Sequence, residues 1–194
     1  MVRTVTKLSC LATALITLMS ALSAAPVMAS TVSEWVSLAT DDFEDSTVEE
    51  SPEGWIATET ADCIVTSDQK HGGEKGLLLE NTSNLDAATM SFNITEPITD
   101  ENARIEFYAW FNLAELDDTG YGLKFSIKDN KNNKVSSSGY FTDTGKGWRK
   151  GYSVRCEYQA YETVGATFTI MITLDGIGKV YLDDLSCGIS RGRM

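Results

Sequence analysis

Residues 103–113 alternate between apolar and mostly polar side chains without a break over eleven positions. One face carries Ile105, Phe107, Ala109, Phe111 and Leu113, and the other carries Arg104, Glu106, Tyr108, Trp110 and Asn112. Side chains repeat every two residues in a strand but about every 3.6 residues in a helix. The pattern therefore predicts a β-strand with one face in a core and the other towards solvent.

Other short runs of β-branched and aromatic residues, separated by Gly, Asn, Asp and Ser, predict further strands and no amphipathic helix. Residues 88–94, 121–128 and 167–174 alternate in the same way. Residues 76–79 and 180–182 are apolar on both sides, as in central strands covered on both faces. Strands are also predicted over 134–141 and 148–158, with turns at 129–133 and 175–178. The fold class is thus an all-β antiparallel sandwich.

The N-terminal segment has the composition of a secretory signal peptide. Arg3 and Lys7 precede the uncharged stretch 8–25, and small residues at Val27 and Ala29 predict cleavage after Ala29. The apolar stretch is shorter than the ~20 residues of a membrane span, which disfavours the alternative of an uncleaved anchor. The prediction is a signal peptide over 1–29, one domain over 30–194, and secretion.

The chain is acidic, with a formal net charge of −12, which becomes −14 on cleavage because both charged residues of the leader are basic. Nucleic acids and anionic membranes are polyanions and gain nothing from such a surface, so neither is expected as a partner. A neutral ligand, a cation or solubility alone is compatible with this charge.

Three cysteines remain in the domain, Cys63, Cys156 and Cys187, and His71 is its only histidine. Export permits a disulfide, but the odd number leaves at least one cysteine outside it, and at most one disulfide is expected. A zinc site or a Cys/His nucleophile pair would need more ligands or a better-placed partner.

The polar outer faces of the alternating strands imply that one sheet is open to water. Aromatic rings on this face would form the floor of a polar groove. The residues predicted to share the open face are Arg104, Glu106, Tyr108, Trp110, Asn112, Asn93 and Lys124.

Several short motifs follow one another in an order that is familiar from a known group of proteins. They are Asp41-Asp42-Phe43-Glu44, Gly54-Trp55, residues 71–79 (HGGEKGLLL), residues 107–111 (FYAWF), Gly147-Trp148 and residues 180–186 (VYLDDLS). This order resembles the carbohydrate-binding modules of families 4, 9 and 22, over about residues 37–189. The resemblance implies a galactose-binding-like jelly roll of two antiparallel sheets, acting as a monomer that binds a glycan.

The resemblance also implies a structural calcium ion. Glu44 and one of Asp183 or Asp184 would supply carboxylates, and backbone carbonyls near Asp42, Gly73 and Lys75 would complete a shell of six to eight oxygens. The alternative is that these acids are only solvated loop residues.

Modules of this kind stack sugar rings on aromatic side chains and hydrogen-bond the sugar hydroxyls. Carried over, the stacking roles fall to Tyr108 and Trp110, and the polar contacts fall to Glu106, Asn112, Asn93, Arg104 and Lys124. The expected function is non-catalytic binding of a polysaccharide or oligosaccharide of the plant β-glucan or xylan class, beside an associated glycanase or surface assembly. For Trp110, burial under a neighbouring loop is the alternative.

Two rival functions stay open. A glycoside hydrolase needs two carboxylates flanking a cleft, and Glu106 is the only acid on the outer face of residues 103–113, which disfavours an enzyme. A secreted adhesion or structural module that binds a protein or cell-surface component would use the same fold, since a fold does not determine its ligand.

Overall fold

The computed structural model describes residues 34–99, 103–151 and 164–191. All of them belong to the second of the two units into which the chain divides, residues 31–194. The predicted signal peptide, Cys156 and most of the strand predicted over 148–158 lie outside the described residues.

Every regular element in the described ranges is a β-strand, and the strands form two sheets. The first sheet contains β1 (Glu34–Asp41), β3 (Ala61–Thr66), β4 (Gly76–Asn81), β6 (Ala103–Leu116), β9 (Arg149–Lys150) and β11 (Gly178–Arg191). The second sheet contains β2 (Trp55–Ala57), β5 (Ala88–Ile94), β7 (Gly122–Asp129), β8 (Lys134–Ser137) and β10 (Phe168–Asp175). The described residues include no helix that is long and apolar enough to cross a bilayer.

The order of strands is β3-β4-β11-β6-β9 in the first sheet, with β1 also paired to β11, and β2-β5-β10-β7-β8 in the second. All the pairings are antiparallel. Non-sequential neighbours such as β11 between β4 and β6 give the crossing connections of a jelly roll. The predicted fold class, a sandwich of two antiparallel sheets, is confirmed.

The core lies between the sheets and is filled by the alternating apolar residues that the sequence indicated. Phe107 and Phe111 of the first sheet both contact Phe125 of the second, with ring centroids 5.8 Å apart in each pair. Ile105 and Ile172 are likewise fully buried. Interlocking aromatic rings of this kind join the two sheets by apolar burial and edge-to-face contacts.

Strand bounds agree with the sequence pattern most closely where alternation is strict. β5 has the predicted bounds, and β6 continues three residues past Leu113. The strand predicted over 134–141 ends earlier, at Ser137, and Phe141 then forms an isolated bridge to Leu123. Residues 76–79 and 180–182 are central as predicted, although Leu78 and Tyr181 are only half-buried on the outer face.

Strand β11 contains a bulge at Asp183 and Asp184 that the sequence did not indicate. The pairing register with β6 shifts between Asp183 and Ser186, and Asp184 has a positive φ of 48°. Before the bulge the inward residues are Val180 and Leu182, whereas after it they are odd-numbered, from Leu185 onwards. One extra residue thus reverses which side chains of the strand face the core.

Cys63 on β3 and Cys187 on β11 are both buried and are not joined to each other. Burial raises the pKa of the Cys63 thiol to about 12. This cysteine therefore has little thiolate at neutral pH and serves as a small apolar side chain.

We expect Ile172→Ala to lower the free energy of unfolding by about 2–5 kcal/mol, because it leaves a cavity between the sheets. Val135→Ala is the control, since Val135 is 56% exposed and should change stability by no more than about 0.5 kcal/mol. Urea unfolding curves measure both. Equal losses in the two variants would contradict the assignment of the core.

Candidate functional site

Strands β1 and β4 lie end to end along the same edge of β11. β4 pairs with residues 178–182 and β1 with residues 185–191, so the bulge falls in the gap between them. The loop that follows β1 and the loop that precedes β4 therefore meet beside Asp183 and Asp184. We call this meeting point, formed by residues 41–46, 70–76 and 183–184, the bulge junction.

Asp183 connects the bulge to the loop before β4 through backbone hydrogen bonds. Its Oδ2 accepts the N–H groups of His71 and Gly72 at 2.8 and 2.9 Å, and its Oδ1 accepts the N–H of Asp184 at 2.7 Å. Burial raises the pKa of the Asp183 carboxyl, and the three N–H donors oppose that rise. Three donors on one buried carboxylate satisfy the hydrogen-bonding requirement that burial imposes.

Glu44 makes the equivalent contact from the loop after β1. Its Oε1 accepts the N–H groups of Lys75 at 2.9 Å and Glu74 at 2.8 Å, and these bonds lower the pKa of the Glu44 carboxyl. Gly73 precedes them with a positive φ of 52°, and a Cβ at this position would overlap the Glu44 carboxylate. A glycine is therefore required for the backbone to approach the carboxylate this closely.

The Lys75 side chain returns to the same loop. Its Nζ donates to the backbone carbonyls of Glu44 at 2.6 Å and Ser46 at 2.8 Å. The loop after β1 and the loop before β4 are thus connected by a carboxylate that accepts backbone N–H groups and by an ammonium that donates to backbone carbonyls.

The structure brings the residues predicted to bind calcium together, but many of their polar atoms form hydrogen bonds with one another. Glu44, Gly73, Lys75, Asp183 and Asp184 all belong to the bulge junction. Asp42 lies in the same loop as Glu44, is exposed, and accepts the Glu44 N–H at 3.3 Å.

Several of the oxygens predicted to bind calcium already have partners within the protein. Calcium takes six to eight oxygens, whereas the Oε1 of Glu44 and both oxygens of Asp183 already accept backbone N–H groups. The carbonyls of Glu44 and Ser46 face an ammonium. Within the described ranges, no three His, Cys, Asp or Glu residues are grouped so as to hold a metal.

The residues predicted to share one sugar-binding face are divided between the two sheets. Arg104, Glu106, Tyr108, Trp110 and Asn112 lie on the outer face of β6 in the first sheet. Asn93 on β5 and Lys124 on β7 lie on the outer face of the second sheet, on the opposite side of the sandwich. The prediction of one shared face is wrong because alternation tells which side of a strand faces solvent but not to which sheet the strand belongs.

An open groove of about 690 Å³ crosses the outer face of the first sheet beside the bulge junction. Tyr108 and Trp110 line it, together with Lys150 and several acidic side chains. These acids are Asp41, Asp42, Asp45 and Asp184.

The flat face of Trp110 is covered by His71, which the sequence analysis did not include among the site residues. The two rings are stacked with centroids 3.8 Å apart and an angle of 13° between their planes. His71 is held there by Asp184, whose Oδ2 lies 2.8 Å from its Nδ1. Trp148 contacts the same imidazole edge-on at 5.8 Å. Trp110 is thus half-buried under a loop side chain rather than bare to solvent.

Tyr108 is also partly covered. The Lys150 ammonium lies 4.3 Å from the centroid of its ring, and Trp35 packs against it with centroids 5.9 Å apart. Both rings that the sequence assigned to sugar stacking therefore line the groove while contacting other side chains.

The second sheet carries the more exposed rings. Tyr121 is 69% and Tyr140 41% exposed, and their centroids are 5.5 Å apart; we call them the tyrosine pair. Lys124 contacts Tyr140 twice, with Nζ 3.0 Å from the phenol oxygen and 4.8 Å from the ring centroid. The Leu123–Phe141 bridge positions these residues, because it aligns the start of β7 with the segment after β8.

A row of hydroxyl groups continues from the tyrosine pair across this sheet. Lys124 is the register partner of Thr173 on β10, which in turn pairs with Thr89 on β5. The two threonine hydroxyls lie 3.1 Å apart. Farther along the same face, the Thr169 hydroxyl donates to the Asn93 side chain at 2.7 Å. The outer face of the second sheet thus combines exposed rings with neutral hydrogen-bonding groups.

The architecture is a jelly-roll β-sandwich of two antiparallel sheets. Among solved structures, the CBM22-1 xylan-binding domain of Paenibacillus barcinonensis Xyn10C is similar, with 18% identity, a TM-score of 0.56, and coverage of 85% of this chain and 100% of that one. The C-terminal family 22 carbohydrate-binding module of Clostridium thermocellum Xyn10B has 16% identity, a TM-score of 0.52, and coverage of 81% and 96%. The resemblance predicted from the motifs is confirmed by these neighbours at the level of the fold.

A cyclase from Fischerella sp. TAU has the same fold, with 12% identity, a TM-score of 0.62, and coverage of 83% of this chain and 100% of the cyclase. No protein-family model and no curated protein sequence matches the chain. Because binding domains and an enzyme both occur among the neighbours, the fold alone does not fix the activity.

Asp41 provides a test of the geometry beside the groove. Burial raises the pKa of its carboxyl, and the indole N–H of Trp55, 2.8 Å from Oδ2, opposes the rise by stabilising the ionised form. Trp55→Phe should therefore raise the pKa of Asp41 further, measured by carboxyl-carbon NMR titration. Trp35→Phe is the control, because Trp35 contacts Tyr108 instead; an Asp41 pKa that falls or stays constant in Trp55→Phe would contradict the hydrogen bond.

The same pKa shift has a consequence for stability. A carboxyl with a raised pKa in the folded state binds more protons there than in the unfolded chain, between its ordinary value of 3.8 and the folded value. Its contribution to stability therefore falls as the pH rises through that window. Because Trp55→Phe raises the folded-state pKa of Asp41, it should extend this pH range at its upper end.

Proposed function

We propose that this protein binds a neutral glycan without catalysing a reaction on it, and that the tyrosine pair supplies the stacking surface. The observation that carries the proposal is the exposure of Tyr121 and Tyr140, at 69% and 41%, on a face that also bears hydroxyl and amide groups. The fold shared with xylan-binding and other carbohydrate-binding domains supports it.

The chemistry of the second sheet suits a sugar chain. The C–H faces of a pyranose pack on aromatic rings, and each hydroxyl that loses water needs a polar partner. The tyrosine pair supplies the rings, whereas Lys124 and the Thr89–Thr173 hydroxyls supply donors and acceptors in one row. A polysaccharide lying along this row would meet rings at one end and neutral polar groups beyond them.

The groove on the first sheet is the second surface to be tested. Arg104, Glu106, Tyr108, Trp110 and Asn112 stay predicted sugar contacts there. A sugar would have to displace His71 from Trp110, because the imidazole already lies at stacking distance. The tyrosine pair needs no such displacement, and for that reason we place the primary site on the second sheet.

The proposed ligand is a neutral polysaccharide of the xylan or β-glucan class. The acidic net charge disfavours acidic polysaccharides and leaves neutral ones. Secretion, which the leader predicts, would bring the domain to such polymers outside the cell.

Affinity electrophoresis through gels that contain xylan or β-glucan tests the proposal. The wild-type protein should be retarded, and Tyr121→Ala/Tyr140→Ala should lose about tenfold or more in affinity, because the variant removes both ring faces on which a sugar would pack and the apolar area that they would bury. Trp110→Ala is the matched control on the other sheet and should retain binding. Retardation should be similar at low and high salt, since neutral hydroxyls carry no charge to screen.

Three other outcomes would contradict the proposed site, glycan binding or the absence of catalysis. Loss of binding in Trp110→Ala with retention in the tyrosine variant would overturn the location and place the glycan in the groove. No retardation by any neutral polysaccharide would overturn glycan binding itself. Release of reducing ends above a boiled control would show an enzyme instead.

A further inference from the structure

We propose that the ammonium of Lys75 takes the structural position of a metal ion at the bulge junction, so that this chain needs no calcium to close its sandwich. The proposal concerns the stability of the fold and is independent of glycan binding.

The Lys75 ammonium donates to two backbone carbonyls of the loop after β1. Lys75 Nζ lies 2.6 Å from the Glu44 carbonyl oxygen and 2.8 Å from the Ser46 carbonyl oxygen. Backbone carbonyls are among the ligands that calcium uses, at ~2.3–2.6 Å. A metal ion that bound both of these carbonyls would compete with the ammonium for them.

The carboxylates of the bulge junction accept backbone N–H groups. Asp183 accepts three backbone N–H groups, and one oxygen of Glu44 accepts two. Successive N–H groups that point at one anion form a concave site that stabilises negative charge. The carboxylates that would ligate a divalent ion are thus already stabilised by the loop before β4.

The hydrogen bonds of the bulge junction connect the same three strands that a metal would connect. A metal at this position would join the end of β1 to the start of β4 and to β11. Here the Glu44 carboxylate and the Lys75 ammonium join the loop after β1 to the loop before β4. Asp183 joins the loop before β4 to β11. Lys75 donates both its backbone N–H and its ammonium to the loop after β1, so a single residue connects the two loops.

The test compares thermal unfolding of the wild-type protein with that of Lys75→Met, which keeps the side-chain length but removes the ammonium. Wild type should melt at the same temperature in excess calcium and in excess chelator. Lys75→Met should melt about 5 °C lower, because two carbonyls lose a charged donor. Lys70→Met is the control in the same loop, since Lys70 is exposed, donates a 3.3 Å bond to the Ser67 carbonyl, and acts on Glu44 through its charge without a hydrogen bond; it should melt within about 1 °C of wild type.

A wild-type melting temperature that rises with calcium and falls with chelator would overturn the proposal. So would a Lys75→Met loss no larger than that of Lys70→Met. If Lys75→Met does not fold, calorimetric titration of the wild-type protein with calcium decides the question: absence of binding heat supports the internal cation, and saturable binding overturns it.

Discussion

The extra residue at the β11 bulge is the constraint on which the first sheet depends. Without it, β11 would present one set of alternating side chains along its whole length, and its even-numbered residues would face the core throughout. With it, Val180 and Leu182 are inward before the bulge, and Leu185, Cys187 and Ile189 are inward after it. The bulge also separates the segment paired with β4 from the segment paired with β1. Two strand ends with unpaired loops therefore meet at one place.

That meeting point has to satisfy many backbone polar groups in a partly buried position. An unpaired buried N–H or C=O costs about as much as a lost hydrogen bond, so each needs a partner. Asp183 and Glu44 accept the N–H groups of the loop before β4, and Lys75 donates to carbonyls of the loop after β1. The arrangement also fixes His71, whose backbone N–H and imidazole contact neighbouring aspartates. Coverage of Trp110 is thus a consequence of how the sheet edge is closed.

The sequence predicted the sandwich because its signal is local. Strict alternation over residues 88–94 and 103–113 depends only on which residues need burial, and β5 and β6 followed it closely. Sheet membership is a property of strand order, which alternation does not encode. Asn93, Lys124 and Trp110 consequently looked equivalent in sequence, although the structure separates them onto two faces.

The contacts that the sequence missed join residues that are distant along the chain. His71 and Trp110 are stacked, and His71 and Asp184 are more than a hundred positions apart. No short motif predicts such a pair. Tyr121 and Tyr140 lie within the strands predicted over 121–128 and 134–141, but their proximity depends on the Leu123–Phe141 bridge, which is an isolated pairing that the strand pattern does not indicate. The candidate residues were thus within reach of the sequence, whereas their grouping was not.

A bound metal ion and a lysine ammonium could each connect the loops at this sheet edge, but they differ in what they require from the medium. A bound metal stabilises a fold in proportion to its free concentration relative to its dissociation constant, so stability follows the medium. A lysine ammonium is covalently part of the chain, so its presence does not depend on the concentration of an ion in the medium. In the proposed arrangement Lys75 supplies one positive charge where a metal would supply two, and backbone N–H groups also stabilise the carboxylates of Glu44 and Asp183. On this view the glycine at position 73 and the lysine at position 75 act as a unit: the first lets the backbone reach the Glu44 carboxylate, and the second returns a cation to the Glu44 carbonyl.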